Sequence, residues 1–501
     1  MKGFIKGTIF LMLVIFISKI LGFIFRMYFM RGAGEEAVGY YMASYPAFIF
    51  FISLVQLGLP IAIAKLVAEH FARGEHGKIQ QLMRSIFYIS FISCLIFIPT
   101  LLFVSPYIAI YLLKNEALTS LLQISVAAIP FVLFASIFKA YLQGLMKITP
   151  SAISQLLEQL LRIVLVMAVL PLYTYTSSPI ALATLVMLFT VLAEVISFLF
   201  LFFAYKRNRT YKEEYDEKSY RYGTIFRIAL PSQGSKLFGS FTWFLEPIVF
   251  LKALTSTGLT IAAATSLYGI ISGVHIPLLL FPAFIPAALS IVLIPAVSEG
   301  LARGKRNSVS NRVMIALRIS SLIGCIACTV FYIYGDALAK QLFHLQTDVH
   351  YMKILAPIFY FYYIQSPMHS ILQSIGEAKS AMMNSVYGGV AKLFIMFVLA
   401  SQPYLQEKGA IIAIGFGVVV TSFLHLVTLK KQSIFHLKFS PLFIHFTLFI
   451  IASITLSNFP LPFSLYESIG ITTVIMLTLF IITKQLLISD FQKVTNILRR
   501  L

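Results

Sequence analysis

Apolar residues in this chain do not alternate with polar ones; they run. Stretches of about twenty apolar residues recur from one end to the other, separated by short polar connections, and that length is what an α-helix needs to cross the hydrocarbon of a bilayer. The runs predict helices near 6–30, 38–64, 82–106, 118–143, 152–172, 180–205, 224–251, 265–296, 309–334, 351–373, 380–401, 410–430, 440–457 and 466–487, about fourteen spans. The first begins with basic residues, but its apolar part continues past Lys19 without a small-residue cleavage site, so it reads as a retained helix.

Composition agrees with an all-α polytopic membrane protein. Of 501 residues, 59% are hydrophobic and only 12% charged. A net charge of +20 could point to nucleic acid, but the bases gather in short loops between apolar runs, which is what orientation in a bilayer requires. If the N-terminus is cytoplasmic, 27 of the 39 Lys and Arg fall on the inside and six in the outside loops. Both termini are therefore expected in the cytoplasm. Cys94, Cys325 and Cys328 all lie in apolar runs, and Cys325 and Cys328 have no second pair or nearby His to make a metal site, so they read as packing residues.

The two halves repeat. Glu69-x-x-Ala72-Arg73-Gly74 recurs as Glu299-x-x-Ala302-Arg303-Gly304, Leu142-Gln143 as Leu372-Gln373, and Arg162 corresponds to Lys392, all at one offset of 230 residues. Six spans separate corresponding points, so the copies enter the membrane in the same direction, a parallel repeat about the membrane normal. The expected organisation is a lobe of six helices over 1–205, a cytoplasmic linker at 206–223, a second six-helix lobe over 224–430 across a central cavity, and two further helices with a tail over 431–501.

Nine ionisable residues lie within the spans: Lys19, Arg26, Lys139, Glu158, Arg162, Glu194, Lys236, Glu246 and Lys392. Facing lipid they would together cost roughly 25 kcal/mol on an insertion scale, so they must face protein or a water-filled cavity. Glu158 and Arg162, four residues apart on one helix, can neutralise each other, and Glu194 can pair with a neighbouring base. Six bases against three acids leaves an excess of positive charge suited to an anion such as a phosphate or diphosphate. Lys19 and Arg26 share one helical face. His275, His369 and His425 also lie in spans and read individually as packing residues.

Several stretches carry a family resemblance: SKILGFIFR (18–26), LGLPIAIAKLVAEHFARG (57–74), AYLQGLMKITPSAISQLLEQLLR (140–162), SKLFGSFTWFLEPIV (235–249), LLLFPAFIPAALSIVLIPAVSEG (278–300) and AMMNS (381–385). The chain resembles the stage V sporulation protein B family, in the polysaccharide-transport branch of the multidrug, oligosaccharidyl-lipid and polysaccharide exporter superfamily, alongside MurJ-type lipid II flippases. What this resemblance implies is a fourteen-helix, two-lobed fold working by alternating access in a bacterial cytoplasmic membrane. The implied substrate is a lipid-linked cell-wall precursor of the peptidoglycan or spore cortex, such as lipid II. By the same resemblance Lys19, Arg26 and Lys139 would hold the diphosphate with Lys236 across from them, Arg162 and Lys392 would contribute less, and Glu246, Asn384 and Thr421 would offer a cation site between spans 7, 11 and 12.

Three classes remain. A flippase for an anionic lipid-linked substrate fits the basic spans; the alternative is an ion-coupled multidrug or polysaccharide-lipid exporter of the same fold, and a multidrug or organic-cation antiporter would want an acidic cavity. An enzyme would need an acid or base with an opposed partner near the surface, and the outer loops are short and poor in carboxylates. No G-x-x-x-x-G-K-[ST] loop is present, so no nucleotide cofactor is expected and coupling to sodium ions or protons is. The expected partners are the bilayer and the lipid-linked substrate, with cell-wall synthases open and nucleic acid not expected.

Overall fold

The computed structural model describes residues 2–174, 176–209, 220–304, 306–432, 440–459 and 461–485, so most of the 206–223 linker and the tail after Gln485 lie outside the described residues. Everything described is helix and short connection. The helices are α1 (Lys2–Gln56), α2 (Leu59–Ala72), α3 (His76–Tyr107), α4 (Leu118–Gly144), α5 (Thr149–Tyr173), α6 (Pro179–Asn208), α7 (Tyr222–Thr255), α8 (Ile261–Ile270), α9 (Ile276–Leu280), α10 (Phe284–Ala302), α11 (Arg306–Phe343), α12 (Met352–Ser374), α13 (Ala378–Ala400), α14 (Gln406–Lys431), α15 (Ser440–Asn458) and α16 (Leu465–Ile482).

Among the described residues thirteen stretches are long and apolar enough to cross a membrane. The difference from the fourteen expected lies in how the chain divides. α1 carries two crossings joined at Gly34, whose φ of 82° and ψ of 174° only glycine adopts readily. The two parts fold back on each other there, since Phe25 and Phe29 both meet the Tyr41 ring. The eighth crossing is broken in two, at Leu280 and Phe284. α12, rich in Tyr, Gln, His and Ser, is not apolar enough to count.

The backbone repeats at the offset read from the sequence. α2 and α10 end at Ala72 and Ala302, α3 and α11 begin at His76 and Arg306, and α4 and α12 end at Gly144 and Ser374, each pair 230 apart. Left-handed residues recur at the same spacing: Gly74 with Gly304, Lys114 with His344, and Met146 with Gly376. Even the helix closures match, Lys147 N donating to Leu142 O at 2.8 Å and Glu377 N to Leu372 O at 2.9 Å.

Two compact units divide at Gly273 and Val274. α7 and α8 pack with the first six crossings because glycines let backbones meet. A Cβ on Gly269 would lie 2.5 Å from Glu35 O and 2.6 Å from Gly39 N, and one on Gly39 would overlap the Thr265 carbonyl. Gly58, left-handed at φ 74°, similarly receives α7 at Ala229. In the second unit, Leu293, Val297, Val313, Leu317, Met368 and Ile371 belong to a buried core. The two C-terminal helices dock on α11: Ser321 Oγ lies 2.8 Å from both Tyr360 OH and His445 Nδ1, and the Cys325 thiol donates to His445 O at 3.1 Å. Cys325 and Cys328 are buried, in keeping with their reading as packing residues.

Candidate functional site

Eight of the nine ionisable residues lie in the first unit, and five of them gather in one cluster. Arg162, buried on α5, donates from Nη2 to Glu158 Oε1 at 2.7 Å, the intrahelical pair that their spacing predicts. Its guanidinium also lies 5.7 Å from the Phe25 ring centroid, a cation–π distance. Glu194 on α6 is within electrostatic reach of Glu158, Arg162 and Lys139, so Lys139 on α4 shares this acid with Arg162.

Arg26 on α1 is different. No carboxylate stands at ion-pair distance from it among the described residues; its Nη1 donates instead to Ser272 O at 3.4 Å. That carbonyl belongs to the π-helical turn Ile271–His275. Its i+5 neighbour is Pro277, which has no N–H to offer. Arg26 and Arg162 also act on one another electrostatically, like charge on like. Against Arg26, Lys139 and Arg162 the cluster sets only Glu158 and Glu194, so it carries net positive charge.

Aromatic and hydroxyl groups complete the surroundings, and sequence reasoning missed them. Tyr41 stacks on Tyr45 with centroids 5.6 Å apart, its hydroxyl lies 3.2 Å from Thr190 Oγ1, and Tyr45 meets the ring of Trp243 edge-on at 6.0 Å. The signal was there in the i, i+4 spacing of Tyr41 and Tyr45 within a span, which puts both rings on one face.

Not every expected residue joins this cluster. Lys19 is exposed on α1, and Lys236 is exposed on α7 and donates to the buried Gln56 Oε1 at 2.8 Å. Neither hydrogen-bonds or pairs with a member of the cluster. Glu246 is buried in the first unit, within electrostatic reach of Tyr268.

Lys392, Asn384 and Thr421 belong to the second unit. Lys392 lies on α13 where Gly417 of α14 admits its stem: a Cβ on that glycine would come within 2.8 Å of Lys392 Cβ. The Thr421 hydroxyl donates to Gly417 O on its own helix at 2.9 Å, whereas Asn384 Nδ2 reaches Thr428 Oγ1 at 3.0 Å and lies 3.2 Å from His425 Nδ1. His369 and His425, read individually from the sequence, are in fact joined through ring nitrogens 3.2 Å apart. Among the described residues no three His, Cys, Asp or Glu converge as metal ligands.

A model of the family described as polysaccharide biosynthesis protein matches residues 4–301. Stage V sporulation protein B of Bacillus subtilis (strain 168) is 34% identical over 456 residues, covering 90% of this chain and 88% of that protein. The chain belongs to the polysaccharide biosynthesis protein family. Lipid II flippase MurJ of the same organism is 21% identical over 467 residues, 86% of this chain and 83% of that one. A solved structure of lipid II flippase MurJ in an inward closed conformation aligns with a TM-score of 0.66 at 12% identity, over 94% of this chain and 98% of that chain, which shows a shared fold. This member of the polysaccharide biosynthesis protein family is thus a multi-pass membrane protein with a transporter fold, and not an enzyme.

Proposed function

We propose that the protein flips an anionic lipid-linked cell-wall precursor, of the lipid II type, across the bacterial cytoplasmic membrane by alternating access. The observation that carries this reading is Arg26, a guanidinium inside a membrane-spanning helix that is held by a neutral carbonyl and not by a carboxylate. Charge placed there without a counter-charge is costly unless a ligand supplies one. A diphosphate headgroup does so, and its polyprenyl tail stays in the bilayer while the polar part crosses a sheltered path. Arg26 and Lys139 are the primary anion contacts in this proposal, with Arg162 set beside them by Glu158. Lys19 and Lys236 sit apart on exposed surface and would meet the headgroup at another stage of the cycle. Similarity to stage V sporulation protein B supports the spore cortex as the setting.

The lobes of the cycle are taken as 1–205 and 224–430, with both termini cytoplasmic. Coupling is assigned to a sodium ion or proton. The test is reconstitution of the purified protein into vesicles with fluorescent lipid II and an outside reagent that reads the headgroup. Translocation that depends on the protein and on Arg26 is expected; headgroups that stay on their starting leaflet would end the proposal.

A further inference from the structure

His275, expected from the sequence to be a packing residue, faces a carboxylate inside the second unit. Its Nε2 lies 3.5 Å from Asp336 Oδ1, an ion-pair distance. His275 closes the π-helical turn Ile271–His275 within the crossing Ile261–Leu280. Asp336 lies just past the apolar run at 309–334, but the helix that crosses there extends over Arg306–Phe343 and includes it. The carboxylate is held in place at the start of α12, where Met352 N donates to its Oδ1 at 3.0 Å, and negative charge is favoured at a helix N-terminus. Gly335 lets the two helices meet at this point, since a Cβ on it would lie 2.6 Å from Met352 Cγ.

The second carboxylate oxygen faces another histidine. His350 Nδ1, in the connection between α11 and α12, lies 4.0 Å from Asp336 Oδ2, a gap that one water or a small turn of the imidazole closes. Side-chain exposure falls from 73% at His350 to 16% at Asp336 and to zero at His275. Three titratable groups thus step from the surface into the interior. Tyr351 stands beside His275 with ring centroids 5.3 Å apart, and Lys340, one turn on from Asp336, is engaged by Asp348 at 3.2 Å.

We propose that His275 and Asp336 form a proton-binding site, loaded from the surface through His350. With a proton the pair is neutral overall. Without it one negative charge is left within a membrane-spanning helix, which is costly unless water reaches it. Proton occupancy therefore biases when this region can close away from water, and such a bias is what coupling to a proton gradient requires. A static packing contact has no use for a third ionisable group leading to the surface. A metal site would need donors that converge, whereas the two histidines take different oxygens of Asp336, and among the described residues no three such groups converge on a metal. The coupling role rests on the transport proposal above and narrows its ion to the proton; the site itself does not depend on that reading.

The test uses the full-length protein with isotope-labelled histidine in phosphatidylcholine vesicles. Imidazole nitrogen shifts in solid-state NMR distinguish the charged ring from the neutral one, and the signal lost in His275→Gln belongs to His275. That signal should change from charged to neutral between about pH 5 and 8, the ordinary range of histidine. In Asp336→Asn it should stay neutral throughout, because a buried imidazolium there has lost its counter-charge. Asparagine keeps an oxygen for Met352 N, so thermal unfolding should match the parent. With fluorescent lipid II in the same vesicles, an imposed pH gradient should change headgroup transfer several-fold in the parent and in neither variant, while His344→Gln, exposed in the same connection, should respond as the parent does. A His275 signal that keeps one charge over the whole range, or that titrates alike in Asp336→Asn, would overturn the proposal. So would a gradient response that survives in both variants. Headgroups that cross in no sample while His275 titrates as expected would end the flippase reading and support the proton site.

Discussion

His369 Nδ1 lies 3.2 Å from His425 Nε2, and this contact joins α12 to α14 inside the second unit. The line continues both ways: Gln373 Nε2 is 3.1 Å from His369 Nε2, and Asn384 Nδ2 is 3.2 Å from His425 Nδ1 and 3.0 Å from Thr428 Oγ1. His425 is fully buried. Of two facing imidazole nitrogens one must carry the hydrogen and the other the lone pair, so each ring fixes its neighbour's tautomer.

Replacing His425 by Leu would strand polar groups on both sides of it. A loss of about 1–3 kcal/mol is expected, the cost of an unsatisfied buried polar group, read as a lower unfolding temperature in detergent. His425→Gln should recover part of it, and His369→Leu should cost less because that ring is only half-buried. Strict additivity in the double variant would show that the ring-to-ring contact contributes nothing.

The crossing of Gly39 and Gly269 gives a second expectation. Gly39→Ala pushes a methyl into the Thr265 carbonyl, so the two backbones must separate; overpacking of this kind costs about 1–3 kcal/mol. Gly239→Ala is the matching control, since its added Cβ meets nothing within 4 Å and its φ is not positive. If the lobes proposed above, 1–205 and 224–430, rock apart, this crossing opens during transport. Gly39→Ala is therefore expected to lower the unfolding temperature while raising the fraction of protein accessible from the side it seals, measured by labelling of a cysteine placed at Tyr45.

How much of this was legible in the sequence depends on the distance over which each feature is built. Span positions follow from apolar run length alone, and the pair Glu158–Arg162 from a spacing of four on one helix, so both were readable. The 230-residue repeat was readable because helix ends carry their own signature in Gly74 and Gly304. The histidine contact was not, because residues 56 apart on separate helices give no sign of which faces meet. Nor was the position of α7 and α8: an apolar helix presents similar residues to lipid, to its own lobe and to the other, and only the backbone approach at Gly39 and Gly269 decides among them.

The turn between α2 and α3 should respond to acid. Glu75 is held below the usual carboxylate range by its bond to Lys78 at 2.9 Å and then by His70, which sits 2.6 Å away. A depressed folded value means that this contribution is present above the unfolded glutamate's value, near 4.3, and is lost as pH falls through the lower folded one. Hydrogen exchange at residues 73–79, corrected for the intrinsic pH effect, should show protection falling over that window. Glu75→Gln should remove the dependence; an unchanged profile would mean the turn is held by its backbone alone.

Orientation can be read from two exposed lysines. Lys147 follows α4 and Lys408 lies near the start of α14, on the inside and outside respectively if the basic residues set the topology. In a background lacking Cys94, Cys325 and Cys328, Lys147→Cys should react only with a permeant thiol reagent and Lys408→Cys with an impermeant one. The reverse pattern would invert the protein and the direction of transport with it.

Arg26 and Arg162, the two arginines read within the spans of the first unit, separate structure from transport. Arg162 is buried and paired with Glu158, so Arg162→Ala leaves a carboxylate without its partner, a change that costs about 3–5 kcal/mol at buried pairs; low protein levels are expected, with recovery when Glu158→Gln is added. Arg26 leaves behind only a carbonyl when removed, and Arg26→Ala should insert and fold at near-parental levels. Headgroup transfer should nevertheless fall at least tenfold, because a charge-assisted contact to an anion is worth about 1.5–3 kcal/mol. Arg26→Lys should retain part of the activity, since a point charge replaces the guanidinium's forked donors. If Arg26→Ala instead lowered protein levels as Arg162→Ala does, Arg26 would be a latch on the π turn at Ser272, and the anion would have to be sought at Lys139 or at the exposed lysines.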